Sequence, residues 1–111
     1  MHVMELTAHQ TGILERLRAH GFETVALPMY EQYIGIRRGN CAALLAPSGP
    51  DGFTVFGEPT YLVGGNLSVR ILRSDGHYFV RKGEQVEATP ERISELESFS
   101  AELAATLLPV A

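Results

Sequence analysis

The chain predicts an α+β fold: an N-terminal helix, an antiparallel meander sheet of about five to six strands, and a long C-terminal amphipathic helix, with both helices on one sheet face. Three observations carry the prediction. A capping box, Thr7-Ala8-His9-Gln10, opens a short helical stripe. Alternating strands and turns then run from Tyr30 to Glu87, punctuated by the turn pairs Gly39-Asn40 and Asp75-Gly76. Last, Thr89-Pro90-Glu91 leads into apolar residues spaced three and four apart as far as Leu107.

The first helix has readable borders. The Thr7 hydroxyl can take an amide proton at the helix start while Gln10 reaches back to the capping residue. Ile13, Leu14 and Leu17 form one narrow apolar stripe, and Gly21 after His20 suits a helix end. A helix of roughly 13 residues is marginal alone in water, so it needs a sheet to lie on.

Gly39-Asn40 separates Tyr33–Arg38 from Cys41–Ala46. A two-residue turn there sets Arg38 opposite Cys41, Ile36 opposite Ala43 and Ile34 opposite Leu45. Ile34, Ile36, Cys41, Ala43 and Leu45 then share the core face, leaving Tyr33, Gly35 and Arg37 on the other. Pro47 to Gly52 reads as a loop before Phe53–Phe56, and Gly57-Glu58-Pro59 as a break before Tyr61-Leu62-Val63. Leu67, Val69 and Ile71 alternate as the core face of the next strand. A two-residue Asp75-Gly76 turn would pair Ile71 with Val80, Leu72 with Phe79 and Arg70 with Arg81. The last pair sets like charges opposite one another, which a bulged turn would relieve by shifting the partners by one.

The closing helix is the strongest element. Thr89 is its N-cap, Pro90 takes the first helical position where a missing amide costs nothing, and Glu91 suits the positive helix start. Ile93, Leu96, Phe99, Leu103 and Leu107 form the stripe, broadened by Ala104 and Leu108. The formal charge of −4 concentrates here, because Glu91, Glu95, Glu97 and Glu102 face only Arg92.

At 111 residues the chain reads as a single domain, residues 1–111. Net acidity argues against nucleic acid, which calls for a basic face. No apolar run approaches the roughly 18 residues that span a bilayer, and Glu5 and His9 interrupt any leader-like start. One cysteine, Cys41, allows no intramolecular disulfide, so a soluble cytoplasmic protein is expected.

Candidate chemistry is sparse. Cys41 falls on the expected core face, where a thiol packs as a small hydrophobe and does not act as a nucleophile. His2, His9, His20 and His77 lie at a terminus, a helix start, a helix end and a hairpin, without the spacing of metal ligands. Neither Gly49-Pro50-Asp51-Gly52 nor Gly64-Gly65 has the strand-to-helix setting of a phosphate loop. No metal, cofactor or catalytic residue is expected.

Two sets of residues rise above this background. Tyr30, Tyr33 and Arg37 gather at the first hairpin. Arg70, Leu72, Phe79 and Arg81 share the outward face of the second. Aromatics and arginine on an uncovered sheet face have the composition of a protein interface. Leu107, Leu108 and Val110 could also pack on a second copy. The expected function is therefore non-catalytic protein–protein interaction, adaptor- or chaperone-like, with a protein partner or as a homodimer. The alternative is a small-molecule or anion-binding protein or enzyme using a pocket near Tyr30, Tyr33, Arg37 and Arg81. In being small, acidic and single-domain with a terminal amphipathic helix, the chain resembles bacterial secretion chaperones and immunity proteins. The likeness is one of composition, covers no motif and transfers no residue role.

Overall fold

The computed structural model describes residues 5–50 and 52–108. In chain order these form α1 (Ala8–Ala19), β1 (Glu23–Val25), β2 (Ile34–Arg38), β3 (Cys41–Ser48), β4 (Gly52–Val63), β5 (Asn66–Leu67), β6 (Val69–Arg73), β7 (Gly76–Arg81), β8 (Glu84–Glu87) and α2 (Pro90–Leu107). The fold is α+β, and every paired strand is antiparallel. The meander forms a five-stranded sheet, β1-β2-β3-β4-β5, and a three-stranded sheet, β6-β7-β8.

The capping box forms as expected: the Thr7 hydroxyl accepts from the Gln10 amide at 3.1 Å and Gln10 Oε1 accepts from the Thr7 amide at 3.0 Å. Gln10 has a second role. Its Nε2 donates to the Gly49 and Gly52 carbonyls at 3.0 and 3.1 Å, tying α1 to the β3–β4 connection. At the other end, Arg16 Nη2 donates to the carbonyls of Thr106 and Leu108 at 2.6 and 3.1 Å, satisfying the end of α2. Both helices lie on one face of the five-stranded sheet. Ile13, Leu14 and Leu17 of α1 and Phe99 and Leu103 of α2 bury the face carrying Ile36, Cys41, Ala43 and Leu45.

The β2–β3 register is the expected one, with Arg38 opposite Cys41, Ile36 opposite Ala43 and Ile34 opposite Leu45. The opposite face is covered too. Leu27, Ala42, Leu44 and Leu62 form a second buried cluster, with Val25, Tyr30, Tyr33 and Leu67 packed against it. Gly35 makes this close approach possible. A Cβ there would collide with the Val25 carbonyl and lie 3.2 Å from Leu27 carbons.

The expected break at Gly57-Glu58-Pro59 is a bulge inside β4. Ala42 pairs with Thr60 and Leu44 with Phe56, so one β3 residue faces three on β4. A further hairpin at Lys82-Gly83 adds β8; both residues have positive φ, +46° and +80°, as a type I′ turn requires.

The second hairpin differs from either expected register. Arg73 pairs with Gly76, Ile71 with Tyr78, Arg70 with Phe79 and Val69 with Val80. Arg81 instead faces Glu84 of β8, so the like-charge pair does not form. The faces are reversed as well. Phe79, expected outward, is 1% exposed, while Val69, expected in the core, is 66% exposed. Burying an aromatic ring removes more apolar area than burying valine, and Phe79 gains a stacked partner in Tyr61, centroids 5.0 Å apart. Ser68 separates β5 from β6, so the alternation that puts Leu67 into the second cluster does not continue into Val69.

A candidate binding cleft between two unpaired strand edges

β4 pairs with β3 along its length but with β5 only at Leu62 and Val63. The Ser68 hydroxyl extends that contact by one residue, donating to the Tyr61 carbonyl at 2.6 Å. Beyond Ser68 the two strands part, and among the described residues β6 pairs with β7 on one side and with no strand on the other. Alternate residues of an antiparallel strand turn their N–H and C=O away from the paired neighbour, so this edge of β6 presents free main-chain donors and acceptors.

The gap between the two edges is a cleft of about 660 Å³. Glu58, Pro59 and Thr60 of β4 line one side and Ser68, Val69 and Arg70 the other; Phe79 of β7 and Leu96, Glu97 and Ser100 of α2 complete it. Phe79 and Leu96 belong to the main core, so the cleft opens onto its edge. Pro59 lacks the amide that would extend the ladder from β4, consistent with the restriction of strand proline to edges and bulges. Among the described residues Arg70, Glu58 and Glu97 form no ion pair; the pair that does form joins Arg38 to Glu102. The Thr60 hydroxyl, in a cleft-lining residue, is buried with no hydrogen-bond partner.

The residues expected at a site are divided among several places. Tyr30 and Tyr33 pack with the second cluster, and Tyr33 stacks on Phe56 with centroids 4.4 Å apart. Arg37 is exposed opposite Glu23, its Nε donating to the Gly39 carbonyl at 2.9 Å. Arg81 lies in the other sheet. Arg70 and Phe79 do come together, as opposite partners lining the cleft, whereas Leu72 stands 72% exposed further along β6. Sequence reasoning missed Glu58, Pro59, Thr60, Leu96, Glu97 and Ser100. Pro59 was the available signal, because proline inside a strand marks an edge or a bulge.

The polar groups of the cleft are carboxylates, hydroxyls and one guanidinium; neither His nor Cys lines it. Among the described residues no group of three or more His, Cys, Asp or Glu could hold a metal ion. Cys41 is fully buried, and its thiol is pushed up to about 11, first by burial and then by the Glu95 charge, with Arg38 opposing. It therefore stays protonated near neutral pH. Asp51, Val110 and His2 lie outside the described residues. Among the described residues no helix is long and apolar enough to cross a membrane. Compared with protein-family models, curated proteins and solved structures, the chain matches none.

Proposed function

We propose that this chain is a non-catalytic binding domain whose partner, another protein, seats in the cleft between β4, β6 and α2. The observation that carries this reading is the pair of strand edges that, among the described residues, lack ladder partners there, beside Phe79, Leu96 and the charges of Arg70, Glu58 and Glu97, which form no ion pair among those residues. Exposed edges are usually blunted or covered, and a partner strand is one way to cover them. A lone buried thiol suits a reducing compartment such as the cytoplasm. Homodimerisation would use the same edge, β6 of one copy against β6 of another. A second reading, a small-molecule site, draws on the cleft volume, which falls in the range of about 300–1,000 Å³ usual for such pockets.

The test is a screen of small-molecule fragments and short blocked peptides against the ¹⁵N-labelled protein. Binding compounds should shift the amides of Glu58, Thr60, residues 68–70 and residues 96–100, and Ser100→Trp, which fills the cleft, should remove those shifts in a folded protein. Shifts clustered instead around Tyr33 and Phe56, and indifferent to Ser100→Trp, would overturn the reading. Peptides binding ahead of fragments favour the protein partner; fragments alone favour the second reading.

A further inference from the structure

We infer that the occupant of this cleft is an extended segment of another protein, mostly apolar, that adds as a strand to the free edge of β6 and sets one carboxylate against Arg70. The inference rests on the cleft being the binding site and goes further in naming the partner's conformation and chemistry.

Three observations select this occupant. First, among the described residues β6 has a ladder partner in β7 and none on its other edge, and its Val69 and Arg70 line the cleft. An added antiparallel strand would satisfy those main-chain groups, and sequence-tolerant backbone bonds plus alternate side-chain contacts are how such additions bind. Second, Val69 and Leu72 are 66% and 72% exposed, on opposite faces of the strand. A partner strand with apolar residues beside both would cover them, because directly opposite residues come within about 4.5–5.5 Å. Third, the charge of β6 is Arg70 and Arg73 with no acid. Arg73 is already placed over the Tyr78 ring, 5.9 Å from its centroid, whereas Arg70 has no ion-pair partner among the described residues. A guanidinium takes a carboxylate in paired, charge-assisted hydrogen bonds.

The same charges limit the alternatives. β6 against β6 of a second copy would gather four arginines on two adjacent strands with no acid between them, which works against self-pairing. Glu58 and Glu97 in the remaining walls disfavour further carboxylates, so the acid belongs opposite Arg70 in an otherwise apolar or neutral segment.

The experiment uses the full chain and a blocked peptide, acetyl-Thr-Val-Val-Glu-Val-Leu-Thr-amide, titrated by NMR. Three companions accompany it: a Gln-for-Glu version, a Lys-for-Glu version, and one N-methylated at alternate residues so that one edge loses its donors. The expected result is shifts at Val69–Arg73, with the Gln version about tenfold weaker, the Lys version weaker still, and the N-methylated version without measurable binding. Arg70→Gln should cost about the same tenfold against the Glu peptide and nothing further against the Gln peptide, since the two changes remove one interaction. Equal binding of the parent and N-methylated peptides, or no difference between the Glu and Lys peptides, would overturn the inference. If fragments shift the cleft amides while no peptide reaches β6, only the strand-addition inference fails. If neither touches the cleft, the cleft itself is wrong. A concentration-dependent dimer abolished by Leu72→Lys would replace the foreign strand with a second copy and overturn the inference by that route.

Discussion

β3 and β6 are both strands of an antiparallel meander, yet they meet opposite surroundings. β3 has a neighbour on each side, β2 and β4, and a buried cluster on each face, so Cys41, Ala42, Ala43, Leu44 and Leu45 are all buried. Among the described residues β6 has one neighbour, and of its five residues only Ile71 is partly covered. The composition follows. β3 is a run of small and aliphatic side chains that fits between two packed layers, whereas β6, Val-Arg-Ile-Leu-Arg, mixes two arginines with three aliphatic residues. A strand enclosed on four sides organises the fold; a strand enclosed on one has surface to offer a partner.

Substitutions can break this contrast. The largest expected effect is at the centre of β3, where Leu45→Ala leaves a cavity between α1, α2 and the sheet and should cost about 2–5 kcal/mol. Urea unfolding would measure it, and a loss below that range would mean the face is less closely packed than described. Next is Gly35→Ala, where the new methyl meets the Val25 main chain and Leu27 and should cost about 1–3 kcal/mol. The same unfolding assay, with amide shifts of β1 as a second readout, tests whether the second cluster depends on that close approach.

A pH experiment gives a smaller, directional effect. The Cys41 thiol is held near 11 in the folded chain against an ordinary value of 9.0. With the folded value raised, the unfolded chain loses its proton first as pH rises, so stability is full below about pH 9 and falls between 9 and 11. Cys41→Ala should flatten that part of the stability–pH curve. An unchanged slope would mean the thiol is not as enclosed as its burial indicates. The smallest effect is expected on β6, where Leu72→Ala should change stability by no more than about 0.5 kcal/mol. A larger loss would show that Leu72 is covered in solution.

Much of the fold could be read from local chemistry. The capping box, the Gly39-Asn40 hairpin with its register, the thiol on the core face and the Thr89-Pro90 helix start each depend on residues close together in the chain. The second hairpin was misread because its register depends on Phe79 stacking against Tyr61, a contact between two sheets. β1 and the second cluster were missed for a similar reason: a three-residue strand and the fold-over of Leu27 are selected by what they cover, with little local pattern. Of the candidate site, Arg70 and Phe79 were legible as members of one outward face, expected opposite Arg81 and Leu72 rather than opposite each other. The walls from β4 and α2 were not, because strands β4 and β6 part only after Ser68, and neither periodicity nor turn chemistry reports where two strands separate.

Residue-by-residue amide hydrogen exchange on the free protein tests the central claim most directly. The amides of Cys41–Leu45 should be among the slowest in the molecule, while alternate amides of Val69–Arg73 exchange as if in open solvent and become protected when the acidic peptide is added. Protection along all of β6 in the free protein, equal to that of β3, would contradict the account, because it would show that the edge is already covered.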